Sequence, residues 1–407
     1  MVKLEKILAD RGYTFSDLAQ DSGISEATLR GINKKPVEKW KISYVKALAN
    51  LLENDISEAF SEILKVENYD EDLGKYNLES RRYIGSKAKL ANWIVEKIQE
   101  ETEGDSFLDL FGGTGIVTKS VLPFFEKVAI NDFLYSNNII YKAFFGPENY
   151  NYQKLLDIMQ SFQSLKTRSV DDEYFSKSYG GKYFSFHDAE IIGEIRQSIE
   201  NNKKINDREK SILIASLIYS ADKVSNTVGH YEAYRKNQNI PDRFKFELIK
   251  PVDSENKEIS IYREDANTLV RNTSADIVFV DPPYNSRQYS RFYHLLEVLT
   301  KWEKPQLTGV AMKPPVENIS EYCKTSAPEA FDDLVKNISA KYIVVTYNNT
   351  YTSKSSSSQN KITQSQIIDS LNRVGTTKIY ETDHKFFNAG KTEFANHKEF
   401  LFITKVK

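Results

Sequence analysis

The hydrophobic positions of this 407-residue chain change period along its length, and each period predicts a different kind of element. Over residues 1–60 the spacing is helical. Leu4, Ile7 and Leu8 share one face, and further on Leu29 and Ile32 share another. Between these groups Thr14 precedes Phe15-Ser16-Asp17 as a capping residue with an acid three positions on; Gly23 supplies a turn, and Ser25 caps the next helix. Residues 61–80, rich in Glu, Asp and Asn, lose all periodicity and read as a linker. A helical pattern resumes through Leu90, Trp93, Ile94 and Ile98. Short apolar runs then follow at Phe107–Leu110, Val128–Asp132, Ile261–Asp265, Ile277–Val280, Tyr342–Tyr347 and Glu399–Thr404. Such runs alternating with helical stretches predict an α/β, doubly wound parallel sheet built from residues 81–142 and 251–407. Residues 143–250 are helical and aromatic throughout and read as an insertion carried by that sheet. Ser353 to Lys361 is a low-complexity loop.

Composition narrows the class. Hydrophobic residues at 40% and charged ones at 28% suit a globular protein with a sizeable core. The net charge of -2 means that any surface for a polyanion has to gather its basic groups on one face. A single cysteine, Cys323, excludes an internal disulfide framework, and no residues stand at metal-ligand spacing, His384 and His397 included, so no metal is expected. Met1 to Lys6 has no apolar signal core and the apolar stretch Ser211–Ala221 is too short to cross a bilayer, so a cytoplasmic protein with no membrane contact is expected.

The candidate chemistry sits at strand ends. Ile277–Val280 stops abruptly on Asp281-Pro282-Pro283-Tyr284, where the prolines end the strand and stiffen the loop. A carboxylate, a proline carbonyl and an aromatic ring suit a planar base with an exocyclic amine. Asp281 and the Pro282 carbonyl would accept its two N–H protons, and Tyr284 would stack on its face. Upstream, Asp109-Leu110-Phe111-Gly112-Gly113-Thr114-Gly115 is a glycine loop at a strand end that matches neither the phosphate-cradling nor the dinucleotide spacing. Asp132, at the end of the next strand, is placed to accept from ribose hydroxyls, and Asp265 from an adenine amino group. Together these features fit S-adenosyl-L-methionine as cofactor.

Tyr83-Ile84-Gly85-Ser86-Lys87, Asp109 to Gly115 and Asp281 to Tyr284 resemble motifs X, I and IV of the DNA adenine-N6 methyltransferases. Their order, with a long insertion between the last two, resembles the alpha (D12-type) class over residues 80–407. The resemblance implies a Rossmann-like doubly wound methyltransferase sheet with an inserted helical target-recognition region over 143–250. It places Tyr83, Gly85, Lys87 and Asp109 in the cofactor site, with Phe111, Gly112, Gly113 and Gly115 lining methionine and ribose, Asp132 on the ribose and Asp265 on the adenine. Asp281, Pro282, Pro283 and Tyr284 would hold the target base, with Tyr289 or Phe292 as further stacking rings. From their position alone, Arg287 and Arg291 would either meet phosphate or stand as exposed helix charges, and Lys385, Lys391 and Lys398 would form either a phosphate-binding loop or solvated loop charge. Residues 1–60 resemble the phage-repressor type of helix-turn-helix, an all-α DNA-binding domain whose second helix would present Thr28 and Arg30, with Lys34 and Lys35 beyond. The implied partners are double-stranded DNA and a cognate restriction endonuclease; the oligomeric state stays open. Two other readings also remain open here: cytosine-N4 methylation, and a transcriptional regulator with a cofactor-binding body.

Overall fold

Local capping builds the first of two compact units, Met1–Lys75 and Tyr76–Lys407. The structure is a computed structural model, describing residues 3–33, 35, 39–60, 62–63, 74–165, 173–236, 239–252, 254, 257–350, 359–383 and 398–407. Lys34, most of the linker, residues 353–358, His384, Lys385, Lys391 and His397 lie outside the described residues. The first unit contains α1 (Lys3–Asp10), α2 (Phe15–Ser22), α3 (Glu26–Asn33) and α4 (Ile42–Leu51). The expected capping box forms in full. Thr14 Oγ1 accepts the Asp17 N–H at 3.3 Å, and Asp17 accepts the Thr14 N–H at 2.7 Å. Gly23 ends α2 in the left-handed conformation at φ 68°, and Ser25 Oγ accepts the Thr28 N–H at 3.2 Å. Leu4, Leu8, Phe15, Leu18, Leu29, Ile32 and Leu48 meet in one core.

The second unit is organised by a seven-stranded sheet of order β3-β2-β1-β4-β5-β7-β6. The strands are β1 (Ser106–Asp109), β2 (Lys127–Asn131), β3 (Glu258–Tyr262), β4 (Ile277–Val280), β5 (Tyr342–Asn348), β6 (Gly375–Asp383) and β7 (Lys398–Val406). The first five run parallel, whereas β7 is antiparallel to both β5 and β6. The sheet is therefore mixed rather than wholly parallel. Strand β6 was not anticipated, because its residues, Thr-, Lys- and Glu-rich, are mostly exposed or half-buried and show no apolar run. Asp265 lies beyond β3 and caps the short helix Ala266–Leu269.

Side-chain alternation sends Val278 and Val280 to one face of the sheet, with Leu108, Leu110, Ile343 and Val345 and the helices Ala327–Asn337 and Gln364–Val374. Phe107 and Phe279 stack on the other face with centroids 6.2 Å apart. Asp276 fastens the strand bases. Its carboxylate accepts the Asp105 and Ser106 N–H groups at 2.8 and 3.1 Å and pairs with Lys341 at 2.8 Å. The segment between β2 and β3 is helical as far as Val224, whereas the described residues from 225 to 250 carry no helix, contrary to the expectation for 143–250. Its longest helix, Asp207–Val224, is buried along most of its length and packs on Tyr135–Phe145, which lies against β3. Among the described residues no helix is long and apolar enough to cross a membrane. Strand order reverses between β1 and β4, and ligands bind at the carboxyl ends of the strands at such a switch point.

Candidate active site

At that switch point a cavity of about 500 Å³ runs from the glycine loop after β1 to the Asp281–Tyr284 loop after β4. The glycine loop is held close to its neighbours. The Gly112 N–H donates to the Asn131 carbonyl at 2.8 Å, and a Cβ on Gly112 would stand 2.6 Å from Ile130 and 2.7 Å from the Tyr141 hydroxyl. Gly113 adopts φ 53° and donates to Asp132 Oδ2 at 3.0 Å. Asp132 also accepts from Leu134 N–H at 2.9 Å and Asn137 Nδ2 at 2.9 Å, so much of its hydrogen-bonding capacity braces the loop while it lines the cavity. Gly115 departs from expectation. It does not line the cavity but precedes the helix Ile116–Val121 at φ 77°, with Phe145 and Tyr141 behind it.

Asp109 is 1% exposed. Its Oδ2 accepts from Thr118 at 2.8 Å, and its Oδ1 is buried with no hydrogen-bond partner. Burial, reinforced by the neighbouring carboxylates of Asp281 and Asp132 against the Thr118 bond, pushes its carboxyl up to about 7. Asp265 uses Oδ1 to cap the Thr268 N–H at 3.1 Å and lines the cavity's far end. The segment Tyr83-Ile84-Gly85 is pinned by two tyrosines: Tyr293 accepts the Ile84 N–H at 2.9 Å, and Tyr289 donates to the Ile84 carbonyl at 3.1 Å. Tyr83 stacks on Tyr293 with centroids 4.9 Å apart. Of the two rings expected to stack on a base, Tyr289 lines the cavity and Phe292 does not. Tyr289 packs on Tyr83, and Phe292 is buried under His230, the rings 4.6 Å apart. His230 and Val228, from the segment between β2 and β3, also line the cavity, and burial lowers the His230 pKa.

Around Asp281 three donors converge on a single oxygen. Oδ1 lies 2.9 Å from Lys87 Nζ, 2.7 Å from the Tyr284 hydroxyl and 2.8 Å from Thr346 Oγ1. No hydrogen bond among the described residues reaches Oδ2 or the Pro282 carbonyl. Glu399, 3% exposed on β7, accepts from the same Tyr284 hydroxyl at 2.7 Å and stands 3.5 Å from Lys87 Nζ. Lys87 is itself buried. Its burial opposes the charged form, yet Asp281 and Glu399 together hold its pKa above the ordinary value. The Tyr284 ring packs on Tyr347 at 4.3 Å, and Lys87 Nζ stands over it at 4.9 Å.

Thr346 and Glu399 escaped the sequence reading because each acts from a strand remote in sequence. Asn131 was missed as well; it bridges the ends of β1 and β3 through Leu110 O and Glu264 N and O. Arg287 lines the cavity, whereas Arg291 does not and donates to the Pro314 carbonyl at 2.8 Å. In the first unit Thr28 and Arg30 are exposed on α3. Thr28 bonds Ser25, and Arg30 pairs with Glu26 at 2.7 Å over the Phe15 ring.

A doubly wound sheet with one reversed strand near its edge, β7, a glycine loop at the switch point and an Asp-Pro-Pro-Tyr loop beside it define a Rossmann-like methyltransferase. A family model described as D12 class N6 adenine-specific DNA methyltransferase matches residues 83–351, and a Cro/C1-type helix-turn-helix DNA-binding model matches residues 3–63. The chain belongs to the D12 class of N6 adenine-specific DNA methyltransferases. It is 31% identical to the type II methyltransferase M.NlaIII of Neisseria lactamica, over 78% of this chain and 95% of that one. It is 31% identical to M.CviAII of Paramecium bursaria Chlorella virus 1, over 80% and 98%. With M.FokI of Planomicrobium okeanokoites it shares 32% identity over 79% of this chain but 52% of that longer protein. The family's adenine specificity decides against the cytosine-N4 reading, and an enzyme family decides against a purely regulatory protein.

Proposed function

We propose that this enzyme methylates N6 of an adenine extruded from a specific sequence in double-stranded DNA, with S-adenosyl-L-methionine as donor, as the modification partner of a restriction endonuclease. The observation that carries the reading is the asymmetry of Asp281: one oxygen bears three donors, and the other is left to accept from an amine. With the Pro282 carbonyl it offers two acceptors for the two N–H protons of adenine N6. Those bonds draw the nitrogen toward a pyramidal geometry and expose a lone pair otherwise delocalised into the ring. Positioning and electrostatics then supply most of the catalysis.

The residues present fit the cofactor. The unpartnered Asp109 Oδ1 is a buried acceptor at the glycine loop, and at Gly112 only a residue without Cβ lets backbone come so close. Tyr83, Gly85, Lys87, Asp109, Phe111, Gly112 and Gly113 would hold its methionine and ribose end, Asp132 the ribose and Asp265 the adenine. When bound, the cofactor supplies an electrophilic methyl group. Asp281 Oδ2 takes the N6 proton released after transfer and passes it to solvent. Extrusion of the base costs a few kcal/mol, offset by contacts within the cleft. α3 of the first unit, with Thr28 and Arg30, adds a DNA contact in which Arg30 exchanges Glu26 for phosphate.

The test is incubation of unmethylated genomic DNA with the enzyme and labelled S-adenosyl-L-methionine, followed by mass spectrometry of the nucleosides. N6-methyladenine is the expected product. Asp281→Asn should lower kcat by about a hundredfold or more, because the amide keeps the shape but loses the charge. Accumulation of N4-methylcytosine, or full activity in the variant, overturns the reading.

A further inference from the structure

We infer that Glu399 is a positioning residue for the methyl-transfer clamp: through the Tyr284 hydroxyl and the Lys87 ammonium it fixes which oxygen of Asp281 faces the target amine. The inference rests on the reading of Asp281 as the amine acceptor and adds a residue outside motifs X, I and IV.

Asp281 can offer either oxygen to an amine by rotating its carboxylate. What prevents rotation is the set of donors gathered on Oδ1. Thr346 is fixed within β5, but Tyr284 and Lys87 are longer side chains that need an anchor of their own. Glu399 provides it for both, with its Oε1 2.7 Å from the tyrosine oxygen and 3.5 Å from the lysine nitrogen. The geometry also counts protons. A tyrosine hydroxyl carries one hydrogen, yet this oxygen lies 2.7 Å from two carboxyl groups, so it is shared between them and tethers each to the other.

Charge points the same way. Asp281 and Glu399 both face the Lys87 ammonium, which sets two carboxylates beside a nitrogen that becomes cationic as it accepts the methyl group. Glu399 therefore does two things at a distance: it locks the acceptor oxygen, and it biases the clamp toward the transition state. A carboxylate 3% exposed at a strand end is costly to bury without partners such as these.

The experiment compares wild type, Glu399→Gln, Glu399→Ala, Tyr284→Phe and the Glu399→Gln/Tyr284→Phe double variant. Readouts are kcat and KM for DNA methylation, S-adenosyl-L-methionine binding by calorimetry, and thermal melting. Glu399→Gln should lower kcat about tenfold and Glu399→Ala about a hundredfold, while KM for DNA and cofactor affinity stay within about threefold. In the Tyr284→Phe background the Glu399→Gln change should cost about twofold or less, because its main route of action is gone. Wild-type kcat in both Glu399 variants overturns the inference. So does an equal cost in both backgrounds, or a fall in kcat that tracks lost cofactor binding and melting temperature. If the wild-type enzyme itself transfers no methyl group to adenine, the underlying reading fails instead; the two failures are distinguishable in the same assay.

Discussion

At the scale of single residues, Asp109 holds the least comfortable position in the cleft. An acid whose folded pKa is raised from 3.8 to about 7 binds its proton more tightly folded than unfolded. Its contribution to folding is therefore neutral below about pH 4, turns unfavourable as pH rises toward 7, and is fully unfavourable above that, by on the order of a few kcal/mol. Asp109→Asn should melt at a higher temperature than wild type at pH 8, with the gap narrowing as pH falls and closing only below about pH 4; calorimetry across that range checks this. The same variant should bind S-adenosyl-L-methionine at least about tenfold more weakly, since burying a lone acceptor is explained by a ligand that satisfies it. An unchanged dissociation constant would separate Asp109 from the cofactor.

Among the elements, the sheet depends on one carboxylate at its base. Asp276 is held down to about pKa 2, chiefly by Lys341 and also by the N–H groups of Asp105 and Ser106. Depressed below its unfolded value, it stabilises the native state above about pH 4, and that contribution disappears as pH falls through about 2. Asp276→Asn should cost about 1–2 kcal/mol at pH 7, read from urea unfolding, and nothing at pH 2. Asp276 also shows where the sequence stops being legible. β1, β4 and β5 announce themselves as short apolar runs because both their faces are covered. β6 does not, because its residues face solvent. The glycine loop and Asp281–Tyr284 were readable because each is one contiguous turn with its chemistry in order. Asp132 was readable because a strand end is a predictable place. Thr346 and Glu399 were not, since only the pairing of β4 with β5 and of β5 with β7 brings them to Asp281. The burial of the Phe292 ring under His230 was also beyond reach; a count of aromatic residues does not say which ones pack against each other.

For the whole molecule, the two units divide the work unequally. Every residue proposed for cofactor and base lies within Tyr76–Lys407, and the helix-turn-helix lies within Met1–Lys75. Removal of residues 1–75 should therefore leave kcat within about threefold while raising KM for long duplex DNA and flattening its dependence on salt, because phosphate contacts are lost. Steady-state kinetics across a salt series tests this. A collapse of kcat would show that the first unit shapes the catalytic cleft.

The reversed strand β7 has a consequence for how the enzyme comes into being. The glycine loop leaves the ribosome early, but the carboxylate partner of Tyr284 belongs to a strand made nearly three hundred residues later. At synthesis rates of about 5–20 residues per second, tens of seconds separate the two. The pairing of Lys398–Val406 beside β5, which completes the surroundings of Tyr284, therefore forms after the other strands of the sheet have been made.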